Sequence, residues 1–285
     1  MRIHTYQIAD LLLGIEADEK YLHTELQAFE TIDSTEPQIL IRLIPSGSPL
    51  QYSGSLLIHS ELLDIYDNNT CYYIIYRQEA SSVFGYILKK DTREAIVYIK
   101  AAAPATGTEI MYSIRDSFFF YMQQYQRVAI HSASILYQGY AWLFAAPSGT
   151  GKSTHVQLWK EAGYPSEDLN GDVAVCYLSP EGIPLAAGLP WCGTSGIYRN
   201  KTMPLGGVIF LNQSSSDKVI PVPAARGILL LTARCLTPAW NQAMMTRNLH
   251  ICQALSGHIL LCRLDCTIQP TAAALMKAYI DEHIS

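Results

Sequence analysis

Apolar and polar positions alternate with a period of two through much of the first hundred residues. Gln38 to Ile44, Ser55 to His59, Cys71 to Tyr76, Val83 to Leu88 and Ala95 to Ile99 each read as a half-buried strand rich in β-branched and aromatic residues. Turn-forming clusters separate them, among them Pro45-Ser46-Gly47-Ser48 and Asp67-Asn68-Asn69. The pattern predicts a small antiparallel β-rich module over residues 1–103, and no group of residues within it carries a recognisable chemistry.

After Ala101-Ala102-Ala103-Pro104 the period changes. Ile110, Ile114, Phe118, Tyr121, Met122 and Tyr125 recur at helical spacing and predict an amphipathic helix of about four or five turns. This helix is expected to open a second domain over 104–285 and to act as the hinge, with its aromatic stripe packed on the sheet that follows. Strands are predicted at Ala129 to Leu136, Tyr140 to Ala145, Val173 to Leu178 and Gly207 to Leu211. Helices are predicted from Lys152 onward and over Pro270 to Glu282. Strands alternating with helices argue for an α/β layered fold in this second domain.

Composition narrows the partners. Against 25 acidic residues there are 20 basic ones, a net charge of −5, with no basic run able to neutralise consecutive phosphates, so nucleic acid is not an expected partner. The apolar runs Tyr140 to Pro147 and Ile228 to Thr232 are of strand length, far from the roughly eighteen residues of a membrane span. Leu11-Leu12-Leu13 is followed at once by Glu16, Asp18 and Glu19, which does not read as a signal peptide. The seven cysteines are scattered, with no CxxC pair, and suggest neither a disulfide framework nor a structural zinc site. A cytoplasmic location is the expectation. Low charge with 18 tyrosines leaves room for apolar patches that suit a homo-oligomer or a peptide-binding groove.

The strongest local signal is Ala146-Pro147-Ser148-Gly149-Thr150-Gly151-Lys152-Ser153-Thr154, set between a predicted strand and a predicted helix. Gly149 and Gly151 permit conformations that turn successive N–H groups inward, and the helix N-terminus adds partial positive charge. Ser148 to Thr154 therefore reads as a polyphosphate loop, with Lys152 reaching the β- and γ-phosphates and the Ser153 hydroxyl placed to ligate Mg²⁺. Ala146 stands where G-x-x-x-x-G-K-[ST] begins with glycine, which is tolerable where that position needs no positive φ.

Two residues outside the loop join it. Asp172 enters the apolar strand Val173-Ala174-Val175, as would an acid that holds Mg²⁺ or takes the proton of an attacking hydroxyl; an Asp capping a turn has the same sequence appearance. His131 lies one strand before the phosphate strand, where it can emerge near a transferred phosphoryl group, although a lone histidine is usually structural.

This order resembles the HPr serine kinase/phosphorylase family, and the HPr-kinase-like proteins found with ribosomally made peptide biosynthesis, lasso peptides included. ATP-dependent phosphoenolpyruvate carboxykinase is a more distant relative of that fold. The resemblance covers residues 128 to 178 and implies an α/β, HPr-kinase/carboxykinase-like P-loop catalytic domain behind the N-terminal β-rich module. It implies Mg·ATP on Ser148 to Thr154, His131 as the catalytic-site histidine, and Asp172 as the acid that activates an acceptor hydroxyl. The acceptor would be Ser or Thr of a peptide or protein.

The family shows two adjacent acids where this chain has Gly171-Asp172-Val173, so Asp172 is left as base, metal ligand or both, and the phosphorylase half-reaction is in question. Pro190-Trp191-Cys192-Gly193 looks like a segment of the peptide-pathway kinases, which would give Trp191 a part in an acceptor pocket. Pro221-Val222-Pro223-Ala224-Ala225-Arg226 is similar to a Pro-Val stretch before an arginine in HPr kinase, which would make Arg226 a neutraliser of transition-state charge. The alternatives are a small-molecule kinase and a nucleotide-dependent binding or regulatory module without catalysis. A carboxykinase is the weakest, since its further metal and substrate residues are not found.

Overall fold

A computed structural model describes residues 2–33, 35–102, 104 and 107–284. The fold is mixed α/β, with two eight-stranded sheets and few helices. It divides into two units between Met122 and Gln123.

The first unit holds β1 (Arg2–Ile8), β2 (Leu11–Ala17), β3 (Ile39–Ser46), β4 (Ser55–His59), β5 (Leu63–Asp67), β6 (Cys71–Tyr76), β7 (Val83–Lys89), β8 (Glu94–Lys100) and helix α1 (Thr108–Met122). Strand order is β1-β2-β3-β8-β7-β6-β5-β4. The sheet is mixed, not antiparallel as predicted, because β3 runs parallel to both β2 and β8. Its long connection from Ala17 to Ile39 carries the chain back to the same end before β3 begins.

The helix belongs to this unit. Ile110, Ile114, Phe118, Tyr121 and Met122 are buried, α1 packs on β3, β7 and β8, and the Tyr121 hydroxyl donates to the carbonyls of Lys89 and Glu94. The expected division at 103/104 thus moves to 122/123, because the helix packs its aromatic stripe on the sheet before it. Ala103 itself lies outside the described residues.

The second unit comprises β9 (Val128–Tyr137), β10 (Tyr140–Ala145), α2 (Lys152–Glu161), β11 (Glu167–Asn170), β12 (Val173–Leu178), β13 (Pro184–Ala187), β14 (Thr202–Gln213), β15 (Lys218–Pro221), α3 (Ala224–Thr232), α4 (Gln242–Ser256), β16 (Leu260–Cys266) and α5 (Pro270–His283). Strand order is β10-β9-β12-β13-β14-β16-β15, with β11 on β9, and a further β10–β14 pairing closes a ring of strands. β10, β14 and β16 are mutually parallel neighbours.

Alternation along the strands sorts the core into two layers. Even positions of β9 and odd positions of β10, such as Val128, Ile130, Leu143 and Ala145, meet Leu231 of α3 and Ile251 and Leu255 of α4. The opposite parity, Ala133, Ile135, Trp142 and Phe144, meets Val156 and Trp159 of α2 and Met276 and Ile280 of α5. Fully buried Phe144 and Trp159 each contribute on the order of 2–3 kcal/mol by leaving water. No helix among the described residues is long and apolar enough to cross a membrane.

Candidate functional site

β10 is apolar to its last residue and runs straight into the glycine loop, which turns into α2 at Lys152. Gly149 and Gly151 take positive φ of 78° and 105°, a region that would strain residues carrying a Cβ. Ala146 is not among the positive-φ residues, so alanine is accommodated at the loop's first position without strain. Gly151 caps the helix with no side-chain hydrogen bond. The N–H groups of Lys152, Ser153 and Thr154 find no acceptor among the described residues, the first helical bond being His155 N–H to the Gly151 carbonyl at 2.9 Å. Free donors and the helix dipole together favour negative charge at this end of α2. Ser148, Gly149, Ser153 and Thr154 are exposed, and Thr150, Gly151 and Lys152 half-buried, so the cradle opens to solvent.

The fold brings His131, Lys152 and Asp172 together. Parity along β9 puts His131 on the α2 side of the sheet, with Ala133 and Ile135. Antiparallel pairing sets Val173 opposite His131, which carries the Asp172 carbonyl to within 3.0 Å of both Ser132 N and His131 Nδ1. His131 Nδ1 also lies 3.3 Å from Asp172 Oδ1. On the other side of the ring, Nε2 is 2.9 Å from Lys152 Nζ, which further donates to the Ala146 carbonyl at 3.2 Å. A charged Lys152 donates to Nε2, so the ring hydrogen sits on Nδ1 and points at Asp172. Burial lowers the Lys152 pKa from its ordinary value; Asp172 opposes this shift and Arg234 adds to it.

The Asp172 turn is held by a residue the sequence did not single out. Asn170, 1% exposed, accepts from the N–H groups of Asp172 and Val173 at 2.9 and 3.0 Å. Its amide donates to the carbonyls of Leu189 and Trp191 at 2.8 and 3.2 Å. One side chain thus ties the acidic turn to the Pro-Trp-Cys-Gly segment. Gly193, at φ +58°, lies so near that a Cβ there would stand 2.9 Å from Asp172 Cγ. A Cβ on Gly171 would stand 2.2 Å from the Ser195 hydroxyl oxygen and 2.4 Å from its Cβ, so a second acid at 171 would require Ser195 to move.

Trp191 is 3% exposed, and its link to the site is its backbone carbonyl. Arg226 is exposed on the first turn of α3, and no contact among the described residues joins it to the loop, His131 or Asp172. The arginine that reaches the site is Arg234: its carbonyl accepts from His131 N–H at 2.8 Å and its charge acts on Lys152. It follows the end of α3 in a stretch without a motif, so its sequence gave no signal.

Among the described residues no group of three or more His, Cys, Asp or Glu side chains could hold a metal by themselves. One hydroxyl, Ser153, and one carboxylate, Asp172, do fit Mg²⁺, which binds through one or two carboxylates and otherwise through phosphate and water oxygens. No family model and no curated protein matches this chain.

Proposed function

We propose that this chain is a Mg·ATP-dependent kinase of HPr-kinase-like P-loop type, which passes the γ-phosphoryl group to a Ser or Thr hydroxyl of a peptide or protein. The observation that carries this reading is the chain Asp172–His131–Lys152 beside three unpaired helix N–H groups. Anion binding, a mobile cation and a base are the parts that phosphoryl transfer asks for.

The loop N–H groups hold the phosphates, and Lys152 exchanges His131 for phosphate oxygen as they arrive. Ser153 and Asp172 would hold Mg²⁺, which would supply neutralisation of the phosphate charge. Asp172 accepts the proton of the acceptor hydroxyl as its oxygen bonds to the γ-phosphorus. The bond to the β–γ bridging oxygen breaks, and ADP leaves with that electron pair. His131 donates to Asp172 through Nδ1 and keeps the carboxylate oriented.

The closed position at Gly171 favours a second reading, a nucleotide-dependent binding module without transfer, since a lone carboxylate must act as base and metal ligand at once. Mass spectrometry of peptides incubated with protein and Mg·ATP separates the two. Gain of one phosphoryl group, abolished by Lys152→Ala, is the expected result. Nucleotide binding without transfer to any acceptor selects the binding module. Lack of affinity for any Mg-nucleotide removes both.

A further inference from the structure

Three of the seven cysteines gather on the α3–α4 side of the second sheet. Cys176 on β12 and Cys252 on α4 are fully buried, while Cys235, just after α3, is half-buried. The sulfurs of Cys235 and Cys252 stand 3.5 Å apart, and neither is in a disulfide. Cys176 does not turn the pair into a metal centre, since among the described residues no group of three or more His, Cys, Asp or Glu could hold an ion.

The surroundings fix this approach. Cys235 Sγ lies 3.3 Å from the carbonyl of Leu231, one helical turn back, to which the thiol donates. Its backbone bridges to Ile130 of β9. Leu236 N–H donates to the Ala129 carbonyl at 2.9 Å, and the Arg234 carbonyl accepts from His131 N–H at 2.8 Å. On the other flank Asn248 of α4 donates from Nδ2 to the Thr237 hydroxyl, one turn before Cys252 on the same helix. Residues 234–237 thus form a strap fastened to β9 on one side and to α4 on the other.

A disulfide bond is about 2.05 Å long, so the two sulfurs need to close by only roughly 1.5 Å. Thiols held this near react with each other in preference to a thiol of another molecule, because the encounter is already made.

We infer that Cys235 and Cys252 form a reversible oxidation site for hydrogen peroxide, whose product is a disulfide tying the strap to α4. Cys235, the partner with surface to offer, attacks a peroxide oxygen as its thiolate. The O–O bond breaks, water leaves, and the sulfur becomes a sulfenic acid. Cys252 then attacks that sulfur; the S–O bond breaks, and the departing hydroxide takes the Cys252 proton as a second water. Two thiols give up two electrons and two protons, and one peroxide becomes two waters. A small thiol restores the pair by exchange. The bond closes behind the strand that carries His131, whose N–H the strap holds, so oxidation stiffens the backing of the histidine beside Lys152. None of this depends on the kinase reading.

The test is peptide mapping of the full chain by mass spectrometry after hydrogen peroxide, with the remaining thiols alkylated in urea before digestion. The expected product is a linked pair of peptides holding Cys235 and Cys252, two hydrogens lighter than the separate peptides and split by dithiothreitol. Cys252→Ala should stop at a sulfenic acid on Cys235, captured by dimedone, and Cys235→Ser, at a half-buried position, should leave Cys252 an alkylated thiol at the same dose. Hydrogen exchange reads the strap: the amides of His131 and Leu236 should exchange at least about threefold more slowly in the oxidised chain. Recovery of both cysteines as alkylated thiols from chain that peroxide has oxidised at methionine, or linkage spread evenly over other cysteines, overturns the assignment. Unchanged exchange in chain that carries the linkage overturns the stiffening.

Discussion

The imidazole of His131 stands between Lys152 and Asp172, 2.9 Å from the ammonium nitrogen on one side and 3.3 Å from a carboxylate oxygen on the other. Three residues from separate stretches of the chain meet because two strands pair and one helix starts where they do. The Lys152 ammonium is thereby tied to a histidine and a carbonyl, with which any anion that engages it would compete.

Lys152→Ala is therefore expected to leave the thermal transition nearly unchanged while weakening Mg·ATP roughly tenfold to a hundredfold, the worth of one charge-assisted hydrogen bond. Calorimetry and a melting curve on the same samples check it. Unchanged affinity would show that Lys152 does not engage the ligand.

Asp172→Asn keeps the shape of the turn and removes the base. Phosphoryl transfer should fall by roughly a hundredfold or more with nucleotide binding retained within a few-fold. Single-turnover transfer beside equilibrium binding reads both, and equal losses in the two would assign Asp172 to metal holding alone.

Much of this site was legible beforehand. β10 and the start of α2 fall where pattern and motif set them, and the trio His131, Lys152 and Asp172 was named from residue type and order. What was not legible has physical causes. β2 is buried at nearly every position, so it shows no alternation. The β1–β2 turn uses Ala9 and Asp10 at φ of 50° and 57°, a geometry usually announced by Asn-Gly. β11 is Glu-Asp-Leu-Asn, residues that strands avoid. The parallel pairings of β3 depend on a long connection, and no local pattern encodes them.

Asn170→Ala should cost about 2–4 kcal/mol, since two N–H groups and two carbonyls lose their partner in a buried place. Urea denaturation measures it. A change below about half a kcal/mol would mean that water replaces the amide without penalty.

Gly193→Ala tests the wall beside the carboxylate. The positive φ and the approach to Asp172 predict a loss of roughly 1–2 kcal/mol in stability and slower transfer at unchanged tripolyphosphate affinity. Full transfer activity in a folded variant would show that the wall does not set the carboxylate's place.

Burial pulls the His155 pKa down from 6.5 to about 4. Below pH 6.5 the unfolded chain binds a proton there that the native protein refuses. Stability is thus complete above about pH 6.5, declines as pH falls, and levels off below about 4, a loss of about 3 kcal/mol. Denaturant midpoints between pH 7 and 4 should fall more steeply for the wild type than for His155→Phe. Parallel slopes would contradict this origin.

The two-sided burial of β9 has an evolutionary corollary. Because even and odd positions face different helix pairs, an indel of one codon between Val128 and His131 would rotate the histidine to the α3–α4 side, away from Lys152. Substitution can tune this strand, whereas a one-residue change of its length there would part the histidine from Lys152.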